Sequence, residues 1–250
     1  SRATEVPSGF QYSMKFDCTT AESSLAADES WRFEQRLEGQ DLYAWKKGTA
    51  DALPVTLSFW VNATKTGTNI VRLFDNNNTR HIAKSYTVNS SNTWEYKSIT
   101  YAGDTTGVFS RTNDTALQIL FYLAAGSNFT SGTLATSWAA NNAANGAVGQ
   151  VNNLDSTSNL FHITGIQLEL GETASAFQNE TYSENFLRCA RYYLQRAASS
   201  AALYGSSVGT GTGGFNYSHW HFPVPMRTAP TMTGHTGNQQ QINVLSGGVY

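Results

Sequence analysis

Hydrophobic and polar residues alternate in short runs over the first 176 residues of the chain. In the run "VTLSFWVNA", Leu57, Phe59 and Val61 fall on one face of an extended chain and Trp60 falls on the other. This period of two is typical of a β-strand with one buried face. The same alternation is found in "GFQYSMKFDC", "WRFEQRLEG", "TNIVRLFD", "RHIAKSYTV", "TWEYKSITYAG", "TALQILFYLAAG" and "NLFHITGIQLEL". Because no helical run separates these strands, the pattern predicts an all-β protein with two packed antiparallel sheets, a jelly-roll β-sandwich.

A single helical pattern follows the predicted sandwich. Thr181 and Glu184 have the spacing of a capping box, and the apolar residues after them recur at helical spacing. Further on, "FNYSHWHFPVPMRTAPTMTG" and "QQINVL" return to the pattern of strands. The predicted organisation is therefore a sandwich over residues 1–176, one amphipathic helix and a linker over 177–200, and a short C-terminal β segment over 201–250. The abrupt start and end of the chain lead us to expect a fragment of a longer polypeptide.

Composition narrows the classes of partner. Charged residues make up only 14% of the chain, against about 25% in an average globular protein, and the net charge is −2. With no basic block, the sequence argues against nucleic acid as a partner. No apolar run approaches the roughly 20 residues that a membrane-spanning helix needs, so no membrane insertion is expected. Cys18 and Cys189 are the two cysteines, and the sequence leaves open whether they pair or stay free thiols.

Five stretches, taken in order, resemble a known group of proteins. They are "TLSFWVNATKTGTNIV", "NTWEYKSITYAGD", "FHITGIQLELGETASAF", "ENFLRCARYY" and "FPVPMRTAPT". Over residues 37–233 the chain resembles tail-fibre-like and structural proteins of tailed bacteriophages that carry a carbohydrate-binding-module-like jelly roll. The resemblance implies a virion tail protein that works outside the cell in host attachment, as a homotrimer. Its implied partners are a host cell-surface glycan or receptor and other virion tail proteins.

Sugar recognition requires aromatic faces and a few planar polar groups, and five residues offer them. Trp60 lies on the strand face opposite a buried face. By the same alternation, Tyr122 lies opposite the buried face of a second strand, and Gln118 is on the same face as Tyr122. Arg72 and His162 are candidate donors on other strands. The alternative is that these aromatic side chains pack against a loop or a neighbouring subunit. A rival binding rim consists of Tyr43, Trp45 and Trp138, although the two tryptophans fit better as plugs at the ends of the sandwich.

The sequence also offers candidates for metal binding, but none for catalysis. His219 and His221 are two residues apart on a predicted strand, so three copies of the chain could offer six imidazoles to a transition metal; the alternative is a solvent-facing pair. Glu169 and Asp17 are candidate ligands for a structural calcium, and no other cofactor is expected. No motif of a hydrolase, a metalloprotease or a nucleotide-binding enzyme occurs, so we do not expect enzyme activity. Three hypotheses follow: a glycan- or receptor-binding module, a purely structural connector of the virion, and a polysaccharide-degrading enzyme.

Overall fold

The fold was analysed from a computed structural model that describes residues 1–194 and 222–229. Ten strands, two short α-helical segments and two 3₁₀ helices make up the described chain. The strands are β1 Arg2–Ala3, β2 Ser13–Asp17, β3 Ser30–Glu38, β4 Val55–Ala63, β5 Gly67–Asp75, β6 Arg80–Val88, β7 Glu95–Tyr101, β8 Thr115–Ala125, β9 Ala139–Ala140 and β10 Leu160–Leu170. The helices are α1 Ser127–Thr130 and α2 Tyr182–Ala190, and the 3₁₀ helices are Gly39–Trp45 and Ala143–Asn145.

The strands form two five-stranded sheets. Sheet A has the order β1-β2-β10-β4-β7, and sheet B has the order β3-β8-β5-β6-β9. All of the strand pairs are antiparallel. The predicted all-β antiparallel sandwich is confirmed.

The core lies between the inner faces of the two sheets. Stacked and edge-on aromatic rings occupy its centre: Phe33 stacks on Phe121 with ring centroids 4.7 Å apart and on Phe16 at 4.9 Å. Phe59 meets Phe121 edge-on at 5.2 Å. Tyr101 is fully buried, and its hydroxyl donates to the carbonyl oxygen of Val71 at 3.2 Å. This close-packed core holds both sheets in place and so fixes the positions of the side chains on their outer faces.

A long connection covers the outer face of sheet B. Residues between β8 and β10 run back over β5, β6 and β8, where β9 pairs with β6 and Ala147 is fully buried. A second apolar cluster forms beneath this connection, containing Ile70, Leu120 and Tyr122. Sheet B therefore has two covered faces. On the outer face of sheet A, Thr56, Ser58 and His162 are buried, whereas Trp60 is partly exposed and Tyr96 is exposed.

One end of the sandwich contains a buried group of charged side chains. Lys47 Nζ lies 2.5 Å from Asp75 Oδ2 and 3.1 Å from Asp104 Oδ2. It also donates to the carbonyl oxygens of Thr106 and Gly107. Arg80 pairs with Asp104 at 2.8 Å. This buried ion cluster joins the 3₁₀ helix Gly39–Trp45 to the ends of β5 and β7.

A second compact unit begins at Asn179. Its helix α2 has the predicted capping box: Thr181 Oγ1 accepts from the Glu184 N–H, and the Glu184 carboxylate accepts from the Thr181 N–H. Both cysteines are free thiols. The predicted strand is absent over residues 222–229, which form bends, because Pro223 and Pro225 have no N–H to donate to a ladder. The rest of the predicted C-terminal β segment lies outside the described residues.

Among the helices of the described residues, we find none with the length and apolar character needed to span a bilayer.

Candidate functional site

Trp60 lies on the outer face of sheet A, as the alternation in β4 predicts. It is half-buried, and in the antiparallel register it stands opposite Tyr96 of β7 on one side and Thr164 of β10 on the other. The rings of Trp60 and Tyr96 have centroids 5.4 Å apart and planes inclined at 56°. Tyr96 is 46% exposed, so the pair presents aromatic surface to solvent.

Two phenylalanines extend this aromatic surface beyond β10. The ring of Phe10 lies over Gly165, at an irregularity in β10 between Thr164 and Gln167. A Cβ atom added to Gly165 would lie 2.6 Å from Phe10 Cζ and 3.4 Å from Trp60 Cδ1. Phe177 packs against Phe10 with ring centroids 5.1 Å apart. We call Phe10, Trp60, Tyr96 and Phe177 the aromatic platform.

We expect Gly165→Ala to displace Phe10 from the platform. Gly165 has a φ of 60°, so an alanine there is strained, and its methyl group would also collide with the Phe10 ring. The expected result is a loss of about 1–3 kcal/mol in unfolding free energy together with a shift of the Trp60 indole N–H resonance. Gly171→Ala is the matched control, because Gly171 also has a positive φ but an added Cβ meets nothing within 4 Å. Equal indole shifts in both variants would contradict this view of the platform.

Polar side chains of β10 hold the segment that carries Phe177. The Glu169 carboxylate accepts from the Ser175 N–H at 3.1 Å, and Gln167 Oε1 accepts from the Gln178 N–H at 2.9 Å. Hydrogen bonds from Gln167 and from Ser175 hold the pKa of Glu169 below its usual range. The charge of Glu169 is therefore used to order residues 175–178, which places Phe177 beside Phe10.

Hydroxyl and amide groups flank the platform. Ser98 is exposed next to Tyr96, whereas Ser58, its partner in the register, is buried. Asn62 lies two residues from Trp60 on the other side. The side chains of Asn62 and Ser98 form no hydrogen bond with another described residue and are at least partly exposed. They are therefore free to bind groups on a ligand that rests on the platform.

His162 is on the same face as Trp60 but is nearly buried. Its Nδ1 lies 3.2 Å from Ser13 Oγ, and the ring of Trp94 approaches it edge-on at 6.2 Å. Burial lowers its pKa, which favours the neutral imidazole. In the register of β10 with β4, His162 stands opposite Asn62, so it borders the platform without being exposed beside it.

The structure places Tyr122, Gln118 and Arg72 on sheet B, away from Trp60. Tyr122 is 1% exposed, beneath the connection that covers this sheet. The Arg72 guanidinium donates from Nη2 to Asn141 Oδ1 at 2.5 Å and lies over the ring of Phe74. This corrects the expectation that Tyr122 offers an aromatic face to a sugar, because its side chain is buried. Alternation predicts the side of a strand that each residue occupies, but it does not say which strands share a sheet.

The three aromatic residues of the alternative binding rim differ in how far they are packed into the fold. Trp45 packs against Phe109 and the core, and Trp138 Nε1 donates to the carbonyl oxygen of Ala102 at 2.8 Å. Both tryptophans close the end of the sandwich, which favours the plug interpretation over the rim. Tyr43 is 65% exposed, with the Arg111 guanidinium 4.5 Å from its ring centroid.

The candidate metal ligands are not brought together. Asp17 pairs with Lys15 at 3.2 Å and stands opposite Leu160, at the start of β10. Glu169 is nine residues further along the strand, about 30 Å away, so the two carboxylates do not form one calcium site. No group of three or more metal-binding side chains occurs in the described part of the chain. His219 and His221 lie outside the described residues.

Three platform residues are absent from the sequence-based candidates: Phe10, Tyr96 and Phe177. Tyr96 has the outward parity in "TWEYKSIT", but its contact with Trp60 depends on the pairing of β4 with β7. Phe177 follows the last strand, and its position on the face depends on the hydrogen bonds of Gln167 and Glu169 and on its contact with Phe10. For Phe177, the signal in the sequence is no more than an aromatic residue shortly after a strand.

Comparison with known proteins does not assign the chain to a family. No family model and no curated protein matches the chain. One similar solved structure is described by the words "CBM4 structure and function"; the two chains are 16% identical, with a TM-score of 0.31. The match covers 58% of this chain and 64% of that chain. The argument for a ligand therefore comes from the geometry of sheet A.

Proposed function

We propose that the sandwich is a carbohydrate-binding module and that the aromatic platform on sheet A is its binding face. The observation that carries this proposal is the exposed aromatic surface of Trp60 and Tyr96 on a rigid sheet, extended by Phe10 and Phe177. The apolar C–H face of a pyranose ring packs well on such a surface, because both are flat and weakly hydrated. A glycan-binding surface also requires a few well-placed polar groups, which set orientation.

The polar groups lie where a sugar on the platform would present its hydroxyls. Ser98 borders the aromatic pair on one side along the strands, and Asn62 borders it on the other. Neighbouring strands are about 4.8 Å apart, so a ring of pyranose size spans from β4 to β7. Two or more sugar units would then extend from Tyr96 towards Phe10. This arrangement favours a chain-like glycan over a single sugar.

A role in host attachment is the biological part of the proposal. It draws on the resemblance of residues 37–233 to tail-fibre-like proteins of bacteriophages and on the low charge of the chain. In this role the module would bind a host cell-surface glycan, other virion tail proteins would carry it, and three copies would assemble. A virion location outside the cell follows from the same proposal.

Trp60→Ala tests the binding face. We expect binding of neutral oligosaccharides to weaken about 10- to 100-fold, since a large aromatic contact contributes roughly 1.5–3 kcal/mol. The measurement is a glycan array of the intact chain, followed by titration with the best oligosaccharide. Trp31→Ala is the matched control, because Trp31 is 56% exposed on β3, an edge strand of sheet B. Unchanged binding by a folded Trp60→Ala variant would contradict the proposal.

A structural connector is the second candidate, and the helix α2 favours it. Tyr182, Phe186 and Leu187 are all at least 40% exposed on this nine-residue helix. A helix this short is not stable alone, and exposed apolar side chains of this kind are typical of a surface that meets another chain. Light scattering of the intact chain distinguishes the candidates: a trimer that binds no oligosaccharide supports the connector.

Several carboxyl groups of the described residues have a structural role. Among the described carboxyl groups, every clear shift lowers the pKa. The groups are Glu95, Asp104, Asp155, Glu169 and Glu184. For Glu95, burial acts upwards, but hydrogen bonds from Lys97, Ser90 and Asn89 lower its pKa to about 2. These groups are suited to holding loops and helix ends.

A further inference from the structure

A cavity of about 340 Å³ opens at the end of the sandwich that holds the buried ion cluster. The 3₁₀ helix Gly39–Trp45 forms one wall, and residues 108–111 form the other. Its apolar lining comes from Leu42, Tyr43, Val108 and Phe109. Tyr43 and Val108 are 65% and 58% exposed, so the mouth of the cavity carries apolar surface accessible from solvent. This end pocket shares no residue with the aromatic platform.

Positive charge is in excess in the end pocket. Its titratable lining residues are Lys46, Lys47, Asp51 and Arg111. Lys47 is already neutralised by Asp75 and Asp104. Lys46 and Arg111 form no ion pair with another described residue, and Asp51 offers one negative charge against their two. The local charge is therefore positive on a chain whose net charge is −2.

Two further contacts prepare the pocket for a polar ligand. The Arg111 guanidinium lies over Tyr43 at 4.5 Å, which leaves its N–H edge able to bind an anion while its face stays on the ring. Ser110 Oγ is buried with no hydrogen-bond partner among the described residues. The Ser110 N–H donates to Asn77 Oδ1 at 2.9 Å, and this bond fixes the segment.

We infer that the end pocket binds an acidic sugar, with its carboxylate or sulfate at Lys46 and Arg111 and its ring against Tyr43. The cavity volume is suited to one sugar unit, and the exposed tyrosine and the cationic pair match such a ligand. The inference rests on the proposed carbohydrate-binding function only for the choice of a sugar as ligand. The pocket and the platform are separate sites, so the chain recognises glycans that contain charged and neutral units.

The test uses D-glucuronic acid as the probe, with D-glucose 6-sulfate and D-glucose for comparison, in a titration of the intact chain followed by amide NMR. We expect saturable shifts for both acidic sugars at residues 39–51 and 108–111, none for glucose, and weaker binding as salt rises. The double variant Lys46→Gln, Arg111→Gln should weaken binding at least 10-fold. Arg32→Gln is the matched control, since Arg32 is exposed on β3 about 20 Å before the 3₁₀ helix.

The outcomes separate the two sites. Shifts for glucuronic acid alone assign a carboxylate, and shifts for glucose 6-sulfate alone assign a sulfate; both support the end pocket. Absence of saturable shifts at 39–51 and 108–111 with either acidic sugar would overturn the inference, as would equal losses in the double variant and in Arg32→Gln. A different result would contradict the proposal for the aromatic platform: binding of neutral oligosaccharides that is unchanged in Trp60→Ala.

Discussion

Lys47→Ala is expected to cost about 3–5 kcal/mol of unfolding free energy, the range for breaking a buried ion pair by removing one partner. The Lys47 side chain is 2% exposed and that of Asp75 is 0% exposed. Without the ammonium group, the Asp75 carboxylate stays buried with hydrogen bonds from Asn78 but no opposite charge beside it. Asp104 is less affected, because Arg80 still pairs with it. Urea unfolding at neutral pH, followed by circular dichroism, measures the loss.

The comparison is with Lys65→Ala, which removes the partner of Asp155. That pair is about 30% exposed on both sides, so its loss should cost less than about 1 kcal/mol. The double variant Lys47→Met, Asp75→Asn should recover part of the stability that Lys47→Met loses, because no unpaired charge remains buried. A Lys47→Ala variant as stable as Lys65→Ala would show that the buried ion cluster does not hold this end of the sandwich together.

The ion cluster also accounts for the shape of the end pocket. Lys47 Nζ lies 5.0 Å from the ring centroid of Phe109 and 5.3 Å from that of Trp138, so its position fixes aromatic side chains at this end. Burial alone would raise the pKa of Asp104, but hydrogen bonds from Arg80, Thr106 and Lys47 outweigh it and lower that pKa. Asp104 therefore stays ionised as the shared partner of both cations. Lys47→Ala should accordingly weaken acidic sugar binding as well as stability.

The strands could be predicted from the sequence because burial of one face leaves a period of two in the residues. The runs around Leu57 and Leu117 became β4 and β8, with the inward side chains as predicted. The helix start could also be predicted, since the capping box of Thr181 and Glu184 is a local interaction. The prediction of a strand through Pro223 and Pro225 was wrong. The residues alternate there, but the two prolines have no N–H group to donate to a neighbouring strand, and alternation alone does not take that into account.

The candidate site could be predicted only in part, because it depends on which strands pair and on which connections cover them. Trp60 has the right parity, and the structure keeps it at the surface of sheet A. Tyr122 has the same outward parity but belongs to sheet B, where the connection between β8 and β10 covers it. Whether an outward aromatic is exposed depends on where a long connection folds back, and no local pattern encodes that. The same holds for Lys47, whose partners are Asp75 and Asp104.

Acidification should destabilise the sandwich through His81, before the carboxylates are protonated. His81 is fully buried on β6, and neither of its ring nitrogens has a partner among the described residues. Burial, together with the nearby charge of Arg72, lowers its pKa to about 4. In the unfolded chain this pKa is about 6.5, so the unfolded state binds more protons between pH 6.5 and pH 4. Neutral His81 therefore makes its full contribution to the free energy of unfolding above pH 6.5, and this contribution is lost as the pH falls towards 4.

The expected loss is roughly 2–3 kcal/mol, with the lower value allowing for screening by water near the covering connection. Urea unfolding between pH 7.5 and pH 4.5 measures it. In His81→Leu, which has no titrating group at this position, the larger part of this slope should disappear, whereas His162→Gln should remove a smaller part, because burial also lowers the pKa of His162. An equally steep slope in His81→Leu would assign the acid sensitivity to other groups.

Because His81 and Arg72 lie together under the connection between β8 and β10, protonation places two like charges beneath it. The amide protons of that connection should therefore exchange faster with solvent at pH 4.5 in the wild type than in His81→Leu.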